Sequence, residues 1–354
     1  MRVGVLDIGS NSVLLLIGER TPSGWRVLTD QTRITRLGEG FDAAKQLQPE
    51  AVQRTLQAIE EYLATCRAWQ VAYIVAAATA VVREASNPNA ILQPLRERLP
   101  PQAAIRVLSA QEEATLSYLS VALDDELIPI AEPKFVNASA SNPPSPRPSP
   151  PLSRGERAGS GGIPYAQEFV NFDSAIGISI GTERLAVIDI GGGSVEVALG
   201  QGVQLEAWHS FPVGAGRIRE QYMPSDPPHP REVLAATRAL DEAFAPLHRL
   251  PQPDRVVSIG GTGVNLAMLA LGLTAFDPAQ VHGVWFNDET PAALLERLLR
   301  LSDAERRALP GIEPDRAPLL HVGALILERA LFALRREEVQ ISTRGLRYGI
   351  LWTL

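Results

Sequence analysis

The segment VLDIGSNSVLLLIG at residues 5–18 returns as VIDIGGGSVEVALG at residues 187–200. The Asp-Ile-Gly, the serine, the valine after it and the closing glycine coincide. Each copy reads as an apolar strand, a tight turn of small residues and a second apolar strand. A further turn signal and a third strand follow each one. Thr21-Pro22-Ser23-Gly24 precedes Trp25-Arg26-Val27-Leu28, and Gly200-Gln201-Gly202 precedes Val203-Gln204-Leu205. A doubled unit of this kind constrains the chain to two halves built alike.

After its three strands each half changes to mixed helix and strand. Val52, Leu56, Ile59 and Leu63 lie at helical spacing within 49–66. Residues 71–77 and 104–108 read as strands, with a helix over 109–122. In the second half the pattern predicts helices at 231–247, 263–272, near 291–300 and at 316–335. Strands fall at 254–259 and 338–343, and a short helix closes the chain. This order implies an α/β architecture of two lobes, 1–125 and 170–344, with a cleft between them. The closing segment, about 345–354, is expected to pack back on the first lobe. Between the lobes, ASASNPPSPRPSPPLSRGERAGSGG at 138–162 is a Pro/Ser/Gly-rich insertion that cannot bury a core.

The 354 residues suit two domains, and 45% apolar with 21% charged is a globular composition. A net charge of −7 argues against a nucleic-acid polymer as partner. Cys66, the single cysteine, permits no internal disulfide or cysteine-based zinc site and fits a cytoplasmic setting. Asp7 interrupts the apolar N-terminus, so no signal-peptide pattern appears. No apolar run approaches the ~18 residues that span a membrane, and no membrane association is expected. The five histidines show no metal-binding spacing.

Ser10, Asn11 and Ser12, and likewise Gly191, Gly192, Gly193 and Ser194, bring backbone N–H groups and hydroxyls to one short turn. Such a nest suits phosphate. Each loop leads into a strand, unlike the P-loop and the dinucleotide fingerprint, where it opens a helix. Asp7 and Asp189 stand at the mouths of the loops, where they would repel a phosphate unless a cation lay between. Mg²⁺ is the hard ion that fills this role through carboxylates and substrate oxygens. Glu196 interrupts an apolar strand on the face of Ser194 and is either a third metal carboxylate or an edge charge. Ser109 and Glu112 have the spacing of a capping box, which occupies Glu112. Glu113, ~100° further round the helix, is left as a candidate general base or a surface charge. Arg83, near a strand end, reads as a phosphate ligand or a solvated arginine. Ile259-Gly260-Gly261-Thr262-Gly263 is a close-approach turn or a plain strand-to-helix joint.

With these residues in hand, the chain resembles the exopolyphosphatase and guanosine pentaphosphate phosphohydrolase family. The carrying stretches are DIGSNSVLLLI, RLGEGF, TAVVREASN, SAQEEA, DIGGGSVEV, GAGRIREQY, IGGTGVNLAML, LPGIEPDRAPLLHVGALIL and STRGLRYGI. The resemblance implies two actin-like (ribonuclease H-like) lobes, mixed sheets flanked by helices, and an active site in the interlobe cleft. It implies Glu113 as the catalytic glutamate and Arg83 as a substrate-contacting arginine. Phosphate loops fall on Ser10 to Ser12 and Gly192 to Ser194, and Asp7, Asp189 and Glu196 become metal carboxylates. It also implies a homodimer.

Three positions depart from the family pattern: Ala110 for a glycine, Val195 for a threonine, and Tyr348 for an acid in the closing motif. The chain stops after that motif, as in the short members without an extra helical hydrolase-like domain. The activity implied is release of terminal orthophosphate from inorganic polyphosphate, or from the 5′ end of guanosine pentaphosphate. An actin-like small-molecule kinase and a non-catalytic ATP-binding or filament-forming protein are the other readings of the doubled loop.

Overall fold

The computed structural model describes residues 1–41, 44–127, 135–136 and 183–354. The expected insertion at 138–162 lies outside the described residues. The first sheet contains β1 (Arg2–Ile8), β2 (Ser12–Thr21), β3 (Gly24–Ile34), β4 (Tyr73–Ala78) and β5 (Ala104–Val107), in the order β3-β2-β1-β4-β5. The second contains β6 (Phe135–Val136), β7 (Arg184–Ile190), β8 (Val195–Gln201), β9 (Gln204–Phe211), β10 (Arg255–Ile259), β11 (Trp285–Phe286) and β12 (Val339–Ile341). Its order is β6-β11-β12-β10-β7-β8-β9. Reading β9-β8-β7-β10-β12 against β3-β2-β1-β4-β5 gives the same topology twice. The hairpins pair antiparallel, and β4 and β10 then join β1 and β7 in parallel. Both sheets are therefore mixed.

The helices are α1 (Pro49–Ala68), α2 (Ala80–Glu84), α3 (Asn89–Arg98), α4 (Ala110–Ala122), α5 (Ala215–Tyr222) and α6 (Pro230–Phe244). They continue with α7 (Gly260–Leu271), α8 (Pro278–Val281), α9 (Glu289–Leu299), α10 (Asp303–Arg307), α11 (Ala317–Leu334) and α12 (Leu346–Trp352). The long elements fall where the apolar spacing places them. The short helices α2, α3, α5, α8 and α10 were not anticipated, because about one to three turns carry too few apolar repeats to show a period. Arg83 lies near a strand end as expected, but on α2, directly after β4.

One expectation needs correction. Helix α11 is long and apolar enough to cross a membrane by length and composition alone, with a mean hydropathy of 1.6 over 18 residues. His321, Glu328 and Arg329 break it into shorter runs, which is why it escapes a search for an uninterrupted one. It is the central helix of the second lobe, largely buried among α5, α6, α7 and α9. A core helix surrounded by other helices is apolar on most of its faces.

Helices α4 and α12 join the two lobes. α12 packs on β1 and β2 through Leu346, Ile350 and Leu351, while α4 packs on the second sheet through Ala114, Tyr118 and Val121. The closing glycines of the repeat make room for both. A Cβ on Gly18 would stand 2.6 Å from Leu351 Cδ2, and one on Gly200 would stand 2.8 Å from the Tyr118 ring. The helices meet where Gly349 lies against Leu116: a Cβ there would fall 1.9 Å from the Leu116 carbonyl oxygen. The cleft between the lobes lies beside this crossing.

Candidate active site

The two loops have the same internal closure. Gly9 N–H donates to Ser12 O (3.0 Å), and Gly191 N–H donates to Ser194 O (2.9 Å). Neighbouring backbone pins each from outside. Thr35 and Arg36 N–H donate to Asn11 O, and Gly38 N–H donates to Ser10 O. On the other side Ala215 and Gly216 N–H donate to Gly191 O and Gly192 O. Gly214 touches the second loop so closely that a Cβ would lie 2.5 Å from Gly192 and Gly193 backbone. The loops are thus fixed before any ligand arrives, and they face each other. A Cβ on Gly193 would lie 3.5 Å from Ser10 Oγ, and one on Gly192 would lie 3.6 Å from Asn11 Cβ.

Between them is a cavity of about 150 Å³. Asp7, Ser10, Asn11, Ser12, Glu113, Asp189, Gly191, Gly192, Gly193, Ser194 and Glu196 all line it. Of the expected site residues only Arg83 does not. Its Nη1 instead donates to Glu113 Oε2 (2.8 Å) and to Leu108 O (2.7 Å). Glu113 is therefore neither a surface charge nor a free carboxylate. It is buried and held by one arginine.

The capping box forms at the start of α4. Ser109 Oγ accepts from Glu112 N–H, Glu112 Oε2 accepts from Ser109 N–H (2.8 Å), and Arg106 holds Glu112 Oε1 (2.6 Å). Glu112 is thereby spent on the helix end, and its neighbour turns into the cleft. Ala110 takes the first helical position without a left-handed backbone, so the glycine of the family pattern is not needed there. Val195 is fully buried in the second lobe core, where its methyls pack.

Four carboxylates line this buried space. Burial pushes Asp7 and Asp189 up to about 7, with Glu113 adding repulsion to both. Glu196 is pushed to about 8 by burial and by Glu113 and Asp189, against hydrogen bonds from Ser210 and Ser194. Burial also raises Glu113, while Arg83 opposes the rise. Glu196 is 4% exposed and lies in β8, hydrogen-bonded to β7 on one side and β9 on the other, so it is no edge charge.

Sequence reasoning missed Arg347, the buried cation of this group. It lines the cavity and lowers both Asp7 and Asp189. Asp30 clamps its guanidinium with two bonds, Nε to Oδ1 (2.8 Å) and Nη2 to Oδ2 (2.7 Å). Tyr348 Oη donates to the same Asp30 Oδ2 (2.9 Å). The departure at Tyr348 thus reaches the site through Asp30. The glycine-rich segment at α7 also borders the cavity. Gly260 has φ +81°, and a Cβ would stand 2.7 Å from Asp189 Oδ1, so close approach is what this glycine permits.

The acids Asp7, Asp189 and Glu196 that line the cavity offer a cation oxygen donors only. Among the described residues no three such groups converge closely enough to cage an ion alone. Oxygen donors of this kind suit a hard cation.

The sequence pattern of one known family spans residues 16–125 and 174–354, and that family is described as the Ppx/GppA phosphatase family. The chain belongs to the Ppx/GppA phosphatase family. It is 28% identical to Exopolyphosphatase 2 of Mycobacterium tuberculosis over 367 residues, covering 100% of this chain and 98% of that protein. Exopolyphosphatase 1 of Mycobacterium leprae is 27% identical over 362 residues, with 99% and 88% covered. Among solved structures, an exopolyphosphatase from Cytophaga hutchinsonii superposes with a TM-score of 0.78 at 20% identity, covering 100% of this chain and 97% of that one. The Aquifex aeolicus Ppx/GppA family member gives 0.73 at 23%, with the same coverage. The fold, two lobes built on mixed sheets of repeated topology, is shared with these two structures.

Proposed function

We propose that this Ppx/GppA family member is an exopolyphosphatase that removes terminal orthophosphate from inorganic polyphosphate with a divalent cation, Mg²⁺ in the first instance. The observation that carries the reading is the convergence of both phosphate loops and Glu113 on one cavity. The full-length similarity to mycobacterial exopolyphosphatases supports the substrate class.

The terminal phosphoryl sits between Ser10–Ser12 and Gly192–Ser194, whose amides and hydroxyls take its oxygens. Asp7, Asp189 and Glu196 would hold the cation, one or two at a time. Bound there, the ion offsets the charge of the carboxylates and of the phosphoryl group together. Glu113 orients a water and accepts its proton at Oε1 or Oε2 as the oxygen attacks phosphorus in line with the leaving phosphate. A buried carboxylate with a raised proton affinity is a better base than a solvated one. Arg83 keeps that carboxylate ionised and aimed, which is a positioning role. Most of the barrier is lowered by preformed geometry and charge.

The test is orthophosphate release by Glu113→Gln, which retains shape and folding. Loss of turnover by about 10²- to 10⁴-fold is expected; near-parental release would sink the base assignment. Comparing kcat/KM for polyphosphates and for guanosine pentaphosphate in the parent protein sets the substrate preference.

A further inference from the structure

Outside the loops the cleft widens into a second cavity of about 330 Å³, which shares Ser10, Asn11, Gly192 and Gly193 with the first. Four arginines line it, Arg36, Arg217, Arg219 and Arg307, and the first two, from opposite lobes, are each held by an acid from the other lobe. Arg36 Nη2 of the first lobe meets Asp315 Oδ1 of the second (2.7 Å). Arg217 Nη2 of the second meets Glu84 Oε2 of the first (3.3 Å).

Both pairs are solvent-accessible, the side chains being 30–59% exposed. Exposed pairs contribute little to stability, so they are poor candidates for holding the lobes together. They are well suited to being exchanged. A guanidinium released from one carboxylate can take two phosphate oxygens in the same planar geometry.

A second observation singles out Arg36. Its backbone is left-handed, with φ 51°, an unfavourable setting for a side-chain-bearing residue, and its N–H donates to Asn11 O of the first phosphate loop (2.9 Å). Strain is thus accepted where the chain ties this arginine to the loop. On the other lobe, Arg217 follows Gly216, whose N–H grips Gly192 O. Each arginine is attached to the loop of its own lobe, one step outward from the terminal phosphate.

We propose that Arg36 and Arg217 bind the phosphates behind the terminal one, and that Asp315 and Glu84 compete with the substrate chain for them. This rests on the exopolyphosphatase reading above. A chain long enough to reach the outer cavity replaces both acids. A chain too short to reach it leaves the pairs intact and gains nothing from them. The paired acids therefore set a preference for length.

The experiment is calorimetric titration with inorganic tripolyphosphate and with long-chain polyphosphate, in Mg²⁺ and on a Glu113→Gln background that prevents turnover. Asp315→Asn and Glu84→Gln should tighten long-chain binding by up to about fivefold, the most that an exposed pair withholds. Arg36→Gln and Arg217→Gln should weaken it by about tenfold and flatten the gain from short to long chain. Two results would overturn the assignment: arginine variants that keep the parent's length dependence, or acid variants that loosen binding and lower the unfolding midpoint together, as simple interlobe ties would. Orthophosphate release by the protein with Glu113 intact separates the two levels. If it hydrolyses polyphosphate while the variants bind alike, only the outer site is wrong. If it neither binds nor hydrolyses polyphosphate, the functional reading falls first and the outer site with it.

Discussion

Arg83 Nη1 lies 2.8 Å from Glu113 Oε2 and also donates to Leu108 O, so one guanidinium ties the end of β5 to the buried carboxylate on α4. Burial raises the proton affinity of Glu113 and Arg83 opposes that rise. In Arg83→Gln the opposition is gone, so Glu113 stays protonated to higher pH. The acidic limb of the kcat profile should move to higher pH, with Arg83→Lys intermediate because it keeps the charge and loses the fork. A raised KM with an unmoved kcat profile would make Arg83 a substrate ligand instead.

The three candidate metal carboxylates predict how stability depends on pH. Asp7 and Asp189 stand at about 7 and Glu196 at about 8 in the folded protein, against about 4 when unfolded. The folded state therefore holds protons that the unfolded state has already released. The stability these groups contribute is fully present below about pH 4 and lost as pH rises through 7 to 8. Without divalent cation the unfolding midpoint should fall between pH 5 and pH 8, and Mg²⁺ should restore it most at pH 8. Asp189→Asn should flatten the slope, raise the metal-free midpoint at pH 8 and abolish the response to Mg²⁺. Calorimetric scans of both proteins across that range check all three.

Asp30 and Tyr348 should differ in weight. Tyr348→Phe removes one hydrogen bond and leaves the Arg347–Asp30 fork whole, a loss of about 1 kcal/mol. Asp30→Asn leaves a buried arginine without its counter-charge, a loss of roughly 3 kcal/mol. It should also lower kcat/KM, because Arg347 faces Asp7 and Asp189. Denaturant midpoints and phosphate release measured together separate the two; equal effects would show that the Arg347–Asp30 fork adds nothing beyond the Tyr348 bond.

The crossing of α4 and α12 offers a test of packing. A Cβ at Gly349 meets a backbone carbonyl, which cannot swing away, whereas one at Gly18 meets the end of the Leu351 side chain, which can. Gly349→Ala should therefore cost at least the ~3 kcal/mol at the upper end of overpacking, and Gly18→Ala about 1 kcal/mol. Urea unfolding of the two variants gives the comparison, and equal midpoints would mean the helices shift apart freely.

Much of the site is legible along the chain because its parts are local. The loop Asp7–Ser12 and its copy Asp189–Ser194 are continuous runs, and the capping box that occupies Glu112 is set by a three-residue spacing. The doubled topology follows from the repeat itself, since like sequence with like turns makes like sheets. Short helices such as α2 and α5 leave too little periodic signal to read, and the contact of Arg83 with Glu113 leaves no local trace.

The sequence by itself determined that the same small-residue loop occurs twice, that each copy carries an acid at its mouth, and that Glu113 is the unspent carboxylate of its pair. Only the tertiary structure decided what those residues face. Arg83 turns to Glu113 rather than to the cavity, Arg347 arrives from the last helix to oppose Asp7 and Asp189, and Arg36 and Arg217 meet acids from the opposite lobe. Loop and cap geometry come from neighbours a few residues apart, so spacing encodes them. Charge pairs between residues tens to hundreds of positions apart depend on how two sheets and two crossing helices pack, and no local pattern records that.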